Sequence, residues 1–409
     1  MPKKKSGTAI IDGEEARNAN AISFGGVLKV IRLGAAEKLT ELLNQGLNIN
    51  MMNDRGKTLL MIQCINYGLK GVKLLLEYGA DAKITDFWGN SALILTCRHY
   101  KADCKEECSE IIKLLVTKGA DINAASAFSS AFRLEGYERG TALLDACLRG
   151  RLDVVRLLLE LGADIDDSNH NSLIEAYLFR RINVVKLLIS YGADVNARNH
   201  NGHTSLGRAC MYDFDDVAAV LLDHGADVYL LIPQGLNKLN PFIIASMNGN
   251  VSTIKLLLDR GADINYICDG CTPLRTACYY GEIRVVRYLL KRGADANASS
   301  PYGLTPLMLA ARDSCNCALI NLLLEYGADI NAECGGHCAL SMAAEKYRRE
   351  NVIFLLERCA DLYKEDGITP VIAYFSYSLF TTDPEIAALV KKYGEANKRT
   401  NREVQPRLK

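Results

Sequence analysis

A three-residue motif, Gly-Ala-Asp, closes an apolar run again and again along this chain of 409 residues. Intact or altered copies of the motif begin at eleven positions: Gly46, Gly79, Gly119, Gly162, Gly192, Gly225, Gly261, Gly293, Gly327, Cys359 and Gly394. The copies lie 30 to 43 residues apart, and most spacings are close to 33. A period of this length indicates small units that cannot bury their apolar faces alone and must be covered by stacked neighbours. The repeat therefore predicts one continuous array, although length alone would suggest about two or three domains.

A second motif, Gly-x-Thr-Pro-Leu, follows the first at a fixed distance. Its clearest copies begin at Gly270 and Gly303, and weaker copies begin at Gly56, Gly202 and Gly367. The threonine is a residue type that caps helix N-termini, and proline suits the first helical position, where no N–H is needed. Each copy therefore predicts the start of a helix.

The unit that starts at Thr272 shows the predicted pattern most clearly. A short helix should begin at Pro273 and stop at Gly281, and a second, amphipathic helix should run from about Ile283. Gly293 then suits a left-handed helix cap, which a residue without a Cβ atom adopts at low cost. The polar residues 295–303 are typical of a turn and predict a hairpin-like finger.

These two motifs in fixed phase resemble the ankyrin repeat, whose first helix opens with Thr-Pro-Leu-His-x-Ala. The histidine of that pattern is replaced by Met61, Arg275, Met308 and Ser341. The resemblance covers residues 21–394 and implies an all-α solenoid of about eleven helix-turn-helix units with β-hairpin-like finger loops. It also implies a curved array, with a concave binding face formed by the fingers and the first helices.

The two ends of the chain differ from the array in composition. Residues 1–20 are polar and show no periodicity, which predicts a disordered N-terminal segment. The repeat array is assigned to residues 21–394. Residues 395–409 follow it as a basic tail, which we expect to be flexible and able to bind an acidic surface weakly.

Charge and hydropathy exclude several classes of function. The chain has 48 basic and 48 acidic residues, interspersed, which argues against the basic stripe of a nucleic-acid-binding protein. No run of about eighteen apolar residues occurs, so membrane insertion is not expected. The charged start, without a following apolar core, is not typical of a secretory signal. We therefore expect a monomer in the cytoplasm or the nucleus.

Five of the fourteen cysteines share one position in the repeat. These are Cys64, Cys97, Cys147, Cys210 and Cys278, and alanine takes the same position at Ala311 and Ala344. A position that accepts Ala or Cys is expected to be tight, apolar and buried. Reduced thiols in such positions fit an intracellular protein.

An insertion at residues 101–108 supports one alternative of a different kind. Cys97, His99, Cys104 and Cys108 could in principle supply four zinc ligands. However, Cys97 already has a packing role, and Cys104 and Cys108 lie one helical turn apart. We therefore predict no bound metal and no cofactor, and keep a zinc-linked role through the Cys104 insert as an alternative.

The sequence offers no motif typical of an enzyme. Gly56-Lys57-Thr58 resembles the end of a phosphate-binding loop, but Met51 stands where that loop requires glycine. The triplet is better interpreted as the local copy of the Gly-x-Thr-Pro-Leu turn. No serine nucleophile elbow, zinc-protease helix or dinucleotide fingerprint is present. We therefore predict no catalysis and no small-molecule substrate.

Large apolar and aromatic side chains interrupt the polar pattern of the fingers and of the first helices. Such side chains dominate the binding energy of protein interfaces and need a reason to face water. We predict that partners contact a set of finger residues and two first-helix residues: Phe87, Trp88, Tyr137, Tyr229, Leu231, Tyr302, Tyr212 and Tyr280.

The sequence thus predicts a non-catalytic adaptor or scaffold that holds proteins or peptide segments on the concave face of the array. A regulatory or substrate-recruiting subunit of an enzyme complex is an alternative within the same fold. A zinc-linked or nucleic-acid-linked role, through the Cys104 insert or the basic tail, is an alternative of another class.

Overall fold

The computed structural model describes residues 23–126, 140–167, 170–178, 181–199, 201–234, 237–314, 316–358, 360, 383–389 and 391–392. Tyr137 and both predicted terminal segments lie outside these residues. The chain divides into two compact units, Met1–Tyr191 and Gly192–Lys409. Within the described ranges, every helix is too short or too polar to span a lipid bilayer.

The described part of the first unit consists of five successive helix pairs. Their bounds are α1 (Phe24–Arg32), α2 (Ala36–Asn44), α3 (Leu59–Ile65), α4 (Leu69–Glu77), α5 (Ala92–Arg98), α6 (Lys105–Thr117), α7 (Ala142–Leu148), α8 (Leu152–Glu160), α9 (Ser172–Leu178) and α10 (Ile182–Ser190). A 3-10 helix, Ala102–Cys104, precedes α6.

The described part of the second unit repeats this arrangement. Its helices are α11 (Ser205–Tyr212), α12 (Asp215–Asp223), α13 (Pro241–Met247), α14 (Val251–Asp259), α15 (Pro273–Tyr280), α16 (Ile283–Lys291), α17 (Pro306–Asp313), α18 (Cys317–Glu325), α19 (Ala339–Glu345) and α20 (Arg349–Glu357). Residues 384–389 and 391–392 are also helical.

Each unit buries its helices in two layers. From α3 to α9, and again from α11 to α19, each first helix of a pair packs against the first helix of the next pair. The second helices pack in the same order from α12 to α20, and in the first unit α4 packs against α6 and α8 against α10. In α8, Val154, Val155 and Leu158 form the buried stripe, and this amphipathic face needs a neighbour to cover it. The all-α repeat fold predicted from the period is therefore confirmed.

The Gly-Ala-Asp motif ends each second helix by local hydrogen bonding. Gly79 has a φ of 83°, the left-handed conformation that ends a helix most cheaply at glycine. Ala80 is buried, and its amide N–H donates to the Leu75 carbonyl at 2.9 Å. Asp81 Oδ1 accepts a bond from the Lys83 amide at 2.8 Å, which turns the chain into the finger.

The first helices begin as the second motif predicts. Thr272 Oγ1 accepts a hydrogen bond from the Arg275 amide at 3.2 Å, and Pro273 occupies the first turn of α15. Gly281 caps this helix with a φ of 76°, and the second helix starts at Ile283. The predicted bounds of the helices in this repeat are therefore confirmed.

The finger loops form short antiparallel hairpins. β1 (Asp166–Asp167) pairs with β2 (His170–Asn171), and β3 (Ile232–Gln234) pairs with β4 (Asn237–Leu239). Single antiparallel bridges close other fingers, for example Met52 with Thr58 and Thr85 with Ser91. The prediction of hairpin-like fingers is confirmed.

Asparagine side chains connect consecutive fingers inside each unit. The Oδ1 atom of Asn50 accepts a bond from the Asp81 amide at 2.9 Å, and Asn297 Oδ1 accepts one from the Asp329 amide at 2.8 Å. Because these bonds join one repeat to the next, they fix the spacing of the fingers as well as their shape.

The repeat position shared by cysteine and alanine is buried, as predicted. Cys64, Cys97, Cys147, Cys210 and Cys278 are all 0% exposed. Burial raises the pKa of the Cys64 thiol to about 12 and raises the pKa of the other four above the ordinary value for cysteine. These thiols therefore act as small apolar groups.

Candidate functional site

A groove with a volume of about 440 Å³ lies in the first unit, between two finger turns and the ends of two first helices. We call it the first groove. It is lined by Lys57, Asp86, Trp88, Asn90, Leu95, Arg98, His99 and Arg149. Lys57 precedes α3, the residues from Asp86 to Asn90 form the next finger turn, and Arg149 caps α7.

The finger turn is held by a buried carboxylate. Asp86 Oδ1 accepts bonds from the amides of Trp88 at 3.0 Å and Asn90 at 2.8 Å. The Asn90 Nδ2 amide donates to both oxygens of Asp86, at 3.0 and 3.1 Å. Because Asp86 is only 4% exposed, its oxygens serve the turn and hold the Trp88 backbone in place.

Arg98 connects this turn to the next repeat. Its Nε donates to Asp145 Oδ2 at 2.6 Å, and its Nη1 donates to Asn90 Oδ1 at 2.8 Å. The Arg98 side chain is 9% exposed and that of Asp145 is 2% exposed, so this is a buried ion pair between α5 and α7. The Nη2 atom of Arg98 is also buried and has no hydrogen-bond partner among the described residues.

The first groove is rich in positive charge. Burial lowers the pKa of His99 from its ordinary value of 6.5, and the neighbouring Lys57, Arg98 and Arg149 lower it further. The Nε atom of Arg149 is buried and, within the described ranges, has no hydrogen-bond partner either. Two arginines that line the groove therefore have buried guanidinium nitrogens that no described residue uses.

A second groove, of about 280 Å³, lies in the second unit and is more apolar. It is lined by Leu239, Ile243, Met247, Cys271, Arg275, Thr276, Tyr279, Tyr280, Leu309 and Arg312. The rings of Tyr279 and Tyr280 meet edge to face with their centroids 4.9 Å apart. This arrangement gives the groove an aromatic wall that suits apolar side chains.

One of the two arginines that line this groove is buried. Arg275 is 5% exposed, its Nη1 donates to the Gly270 carbonyl, and its Nε has no partner in the described part of the chain. Burial lowers the pKa of Arg275 below its ordinary value. The Thr276 hydroxyl is buried as well and makes no hydrogen bond with any described residue.

Of the predicted contact residues, two lie at the first finger turn. Trp88 is 43% exposed and lines the first groove. Phe87 is 69% exposed, but its ring edge packs against the backbone of Gly56 in the preceding finger. Phe87 therefore braces two fingers while it also presents a ring to solvent.

The two predicted first-helix residues are both accessible. Tyr280 is 52% exposed and lines the second groove. Tyr212 is 47% exposed, and its ring lies 6.0 Å from that of Phe214 and 5.4 Å from the Arg208 guanidinium. Met211, which precedes Tyr212 in α11, is less exposed.

The remaining predicted finger residues differ from one another. Tyr229 is half-buried, its hydroxyl accepts a bond from the Asp263 amide at 2.8 Å, and its ring centroid lies 4.3 Å from that of Tyr266. Leu231 is 40% exposed and Tyr302 is 84% exposed. Tyr302 and Leu231 do not line the second groove.

The tyrosine at position 229 has a structural explanation that the sequence analysis missed. Asparagine stands at the equivalent place in other repeats, and Asn196 Oδ1 accepts the same kind of bond from the Asp227 amide at 2.8 Å. The Tyr229 hydroxyl therefore takes the place of an asparagine Oδ1 atom as the acceptor of the hydrogen bond between consecutive fingers. The sequence signal for this contact is that tyrosine, and not asparagine, stands two residues after the Gly-Ala-Asp motif that begins at Gly225.

The four candidate zinc ligands do not form a ligand set. Among the described residues, no group of three or more His, Cys, Asp or Glu side chains is arranged to hold a metal ion. Cys97 and Cys108 are both 0% exposed, and burial raises the pKa of Cys108 to about 12. Such burial opposes the thiolate that zinc requires.

The sequence pattern does not point to two cations of the first groove, Lys57 and Arg98. Lys57 stands in a Gly-x-Thr turn motif, and Arg98 lies at the end of a short helix. One signal was available: Asp145 interrupts the otherwise apolar helix α7, and a buried carboxylate needs a cationic partner. The sequence alone could not show which cation supplies it.

One family model and one solved structure match parts of this chain. The family model for ankyrin repeats in three copies matches residues 28–126, 104–199, 228–300 and 293–366. A crystal structure of the human ASB11 ankyrin repeat domain has 30% sequence identity and a TM-score of 0.47, covering 54% of this chain and 98% of that domain.

Several curated proteins share part of the sequence. An ankyrin repeat protein of Acanthamoeba polyphaga mimivirus is 37% identical over 94 residues, covering 22% of this chain and 15% of that protein. The B-cell lymphoma 3 protein homolog of Mus musculus is 29% identical over 252 residues, covering 61% and 44%. Transient receptor potential cation channel subfamily A member 1 of Homo sapiens is 29% identical over 227 residues, covering 54% and 19%.

The chain thus spans between 15% and 44% of the length of these three relatives. The family model, in contrast, matches well over half of the chain, on both sides of the boundary between the two units. Its matched segments contain most of the helix pairs and both two-stranded hairpins described above, whereas α11 and α12 lie between two of the segments. On this basis, the chain belongs to the ankyrin repeat family.

Proposed function

We propose that this protein is a non-catalytic adaptor or scaffold that holds segments of partner proteins against its finger turns and first helices. Ankyrin repeats are in general protein–protein interaction modules. The proposal assigns that role to the surfaces that carry the first and second grooves, each within its own unit.

The exposure of large aromatic side chains at these surfaces carries the proposal. Trp88 is 43% exposed, Tyr280 is 52% exposed and Tyr302 is 84% exposed, all at turns or at the end of a first helix. Tryptophan and tyrosine are the residues that most often dominate binding energy at protein interfaces. Their apolar surface in water is unfavourable unless a partner covers it.

Two further observations concern catalysis and location. The lack of catalytic motifs in the sequence favours a protein without enzymatic activity. All twelve cysteines in the described part of the chain are free thiols, which favours the reducing environment of the cytoplasm or the nucleus.

Affinity capture with the native chain, followed by binding measurements on purified partners, tests the proposal. Trp88→Ala or Tyr280→Ala should weaken binding by about tenfold or more, because each removes an aromatic anchor. Tyr326→Ala is the matched control, since Tyr326 is 42% exposed but caps the second helix α18. Circular dichroism should stay unchanged for all three variants.

Native affinity for every captured partner in both groove variants would contradict the proposal. The class of partner separates an adaptor from a regulatory subunit. Recovery of an enzyme whose activity changes on binding would favour the regulatory alternative.

A further inference from the structure

The first groove contains more positive charge than the protein neutralises. Three cations, Lys57, Arg98 and Arg149, line it. The carboxylate of Asp86 is committed to its own turn, and that of Asp145 to Arg98. Three cations and two carboxylates leave one net positive charge, and within the described ranges Lys57 has no ion-pair partner.

Two buried guanidinium nitrogens in this groove have unused hydrogen-bonding capacity. Arg98 Nη2 and Arg149 Nε have no partner among the described residues, and the Arg98 side chain is nine-tenths buried. A buried donor without an acceptor is unfavourable, and more so when it is charged. A planar guanidinium is suited to receive a carboxylate or a phosphate through paired bonds.

The wall of the groove adds an apolar contact next to these donors. The Trp88 backbone is fixed by Asp86, and Arg98 is joined to the same turn through Asn90. One hydrogen-bonded network therefore sets the position of the Trp88 backbone relative to the Arg98 guanidinium. The groove is built before any partner arrives, which limits the entropy lost on binding.

We propose that the first groove binds an acidic side chain, Asp or Glu, of an extended partner segment, with the neighbouring apolar side chain of that segment lying on the Trp88 indole. This inference rests on the proposed function and specifies the class of partner. Electrostatic complementarity of this kind selects partners and speeds their association.

Trp88 is the only tryptophan in the chain, so its fluorescence reports on this groove alone. The full-length protein is titrated with four peptides, Gly-Ser-Leu-X-Leu-Ser-Gly, in which X is Glu, Gln, Lys or phosphoserine. We expect the Glu peptide to bind about tenfold or more tightly than the Gln peptide. The Lys peptide should bind more weakly still, and added salt should weaken the Glu peptide most.

A pair of protein variants locates the effect. Arg149→Gln should reduce affinity for the Glu peptide by about tenfold and leave the Gln peptide unchanged. Arg156→Gln makes the same charge change on the exposed face of α8 and should leave both affinities unchanged. The comparison of peptides on the native chain does not depend on either variant being folded.

Several outcomes would overturn the inference. These are equal binding of the Glu and Gln peptides, tighter binding of the Lys peptide, or no fluorescence change up to about 1 mM peptide. Tighter binding of the phosphoserine peptide, by about tenfold, would assign the groove to phosphate instead. If captured partners still depend on Trp88 while the peptides fail, the inference is wrong and the proposed function stands. If the peptides fail and the captured partners do not depend on Trp88 either, then both the inference and the proposed function are wrong at this groove.

Discussion

At the residue scale, the buried ion pair of Arg98 and Asp145 has the largest expected effect on stability among the ion pairs of the described residues. Asp145→Ala should lower the free energy of unfolding by about 3–5 kcal/mol, because it leaves a guanidinium buried without its counter-charge. The control is Asp153→Ala, which removes an exposed pair with Lys105 at 2.8 Å and a long hydrogen bond from the Tyr100 hydroxyl, and should cost much less because solvent screens an exposed pair.

Urea unfolding followed by circular dichroism measures both variants. Equal losses for Asp145→Ala and Asp153→Ala would show that the buried pair contributes no more than a surface pair. The pair also ties α5 to α7, so its loss should loosen the finger that carries Trp88.

His99 should make the stability of the protein depend on pH. The folded state lowers its pKa below 6.5, so on acidification the unfolded chain takes up a proton before the folded chain does. The stabilisation is fully present above about pH 6.5 and is lost as the pH falls from there to the lowered pKa. His99→Gln should therefore lose less stability than the native chain between about pH 7 and about pH 5.

NMR titration of the His99 ring measures the shift directly. A midpoint at or above 6.5 would contradict the prediction, because no proton would then be taken up preferentially by the unfolded chain.

At the element scale, the finger turns are held together by close contacts at glycine. Gly56 has a φ of 71°, and a Cβ atom there would lie 2.6 Å from Phe87 Cδ1 and 2.8 Å from the Phe87 backbone nitrogen. The same kind of contact joins Gly202 to Pro233 in the second unit. Adjacent fingers therefore pack so closely at these two positions that only glycine fits without a shift of its neighbour.

Gly56→Ala should cost clearly more than Gly79→Ala. Both glycines have positive φ, but a Cβ atom at Gly79 would meet nothing within 4 Å. Backbone strain alone should cost about 1 kcal/mol at either position, and the clash at Gly56 should add about 1–3 kcal/mol.

Hydrogen exchange of the finger amides, together with the unfolding free energy, measures this difference. Faster exchange at Trp88 and Asn90 in Gly56→Ala, but not in Gly79→Ala, is the expected result. The same unfolding free energy for the two variants would mean that Phe87 moves aside without cost.

At the scale of the whole molecule, two classes of cysteine among the described residues can be compared in one experiment. The five at the shared repeat position are fully buried, whereas Cys104, Cys271, Cys317, Cys334 and Cys338 are partly exposed. Cys108 and Cys268 are buried as well but lie outside the shared position. Burial raises the pKa of the first class, which leaves little of the reactive thiolate at neutral pH.

Alkylation of the native protein should therefore modify the partly exposed cysteines first. The buried five should react only when denaturant unfolds their repeats, and peptide mass spectrometry distinguishes the two sets. Modification of Cys64 or Cys147 as fast as Cys104 in the native protein would contradict the burial described here.

The repeat fold could be predicted from sequence because its determinants are local and recur in phase. The cap at Thr272, the stop at Gly281 and the turn after Gly293 each depend on hydrogen bonds between residues close in the chain. A small cysteine or alanine at one position likewise reports burial in every copy. Repetition makes such weak local signals strong, since each copy is an independent observation of one rule.

The candidate site could be predicted only in part. Trp88 and Tyr280 are conspicuous in the sequence and do line grooves, but their neighbours are set by packing between repeats. Arg98 and Asp145 are 47 residues apart, and Tyr229 and Asp263 are 34 residues apart. Sequence by itself determined the helices, their ends and the family of the fold, because these follow from local hydrogen bonding and periodic burial. Only the tertiary structure decided which charges are paired, which guanidinium nitrogens are left over and which aromatic rings brace the fingers, because those facts depend on side chains that meet across different repeats.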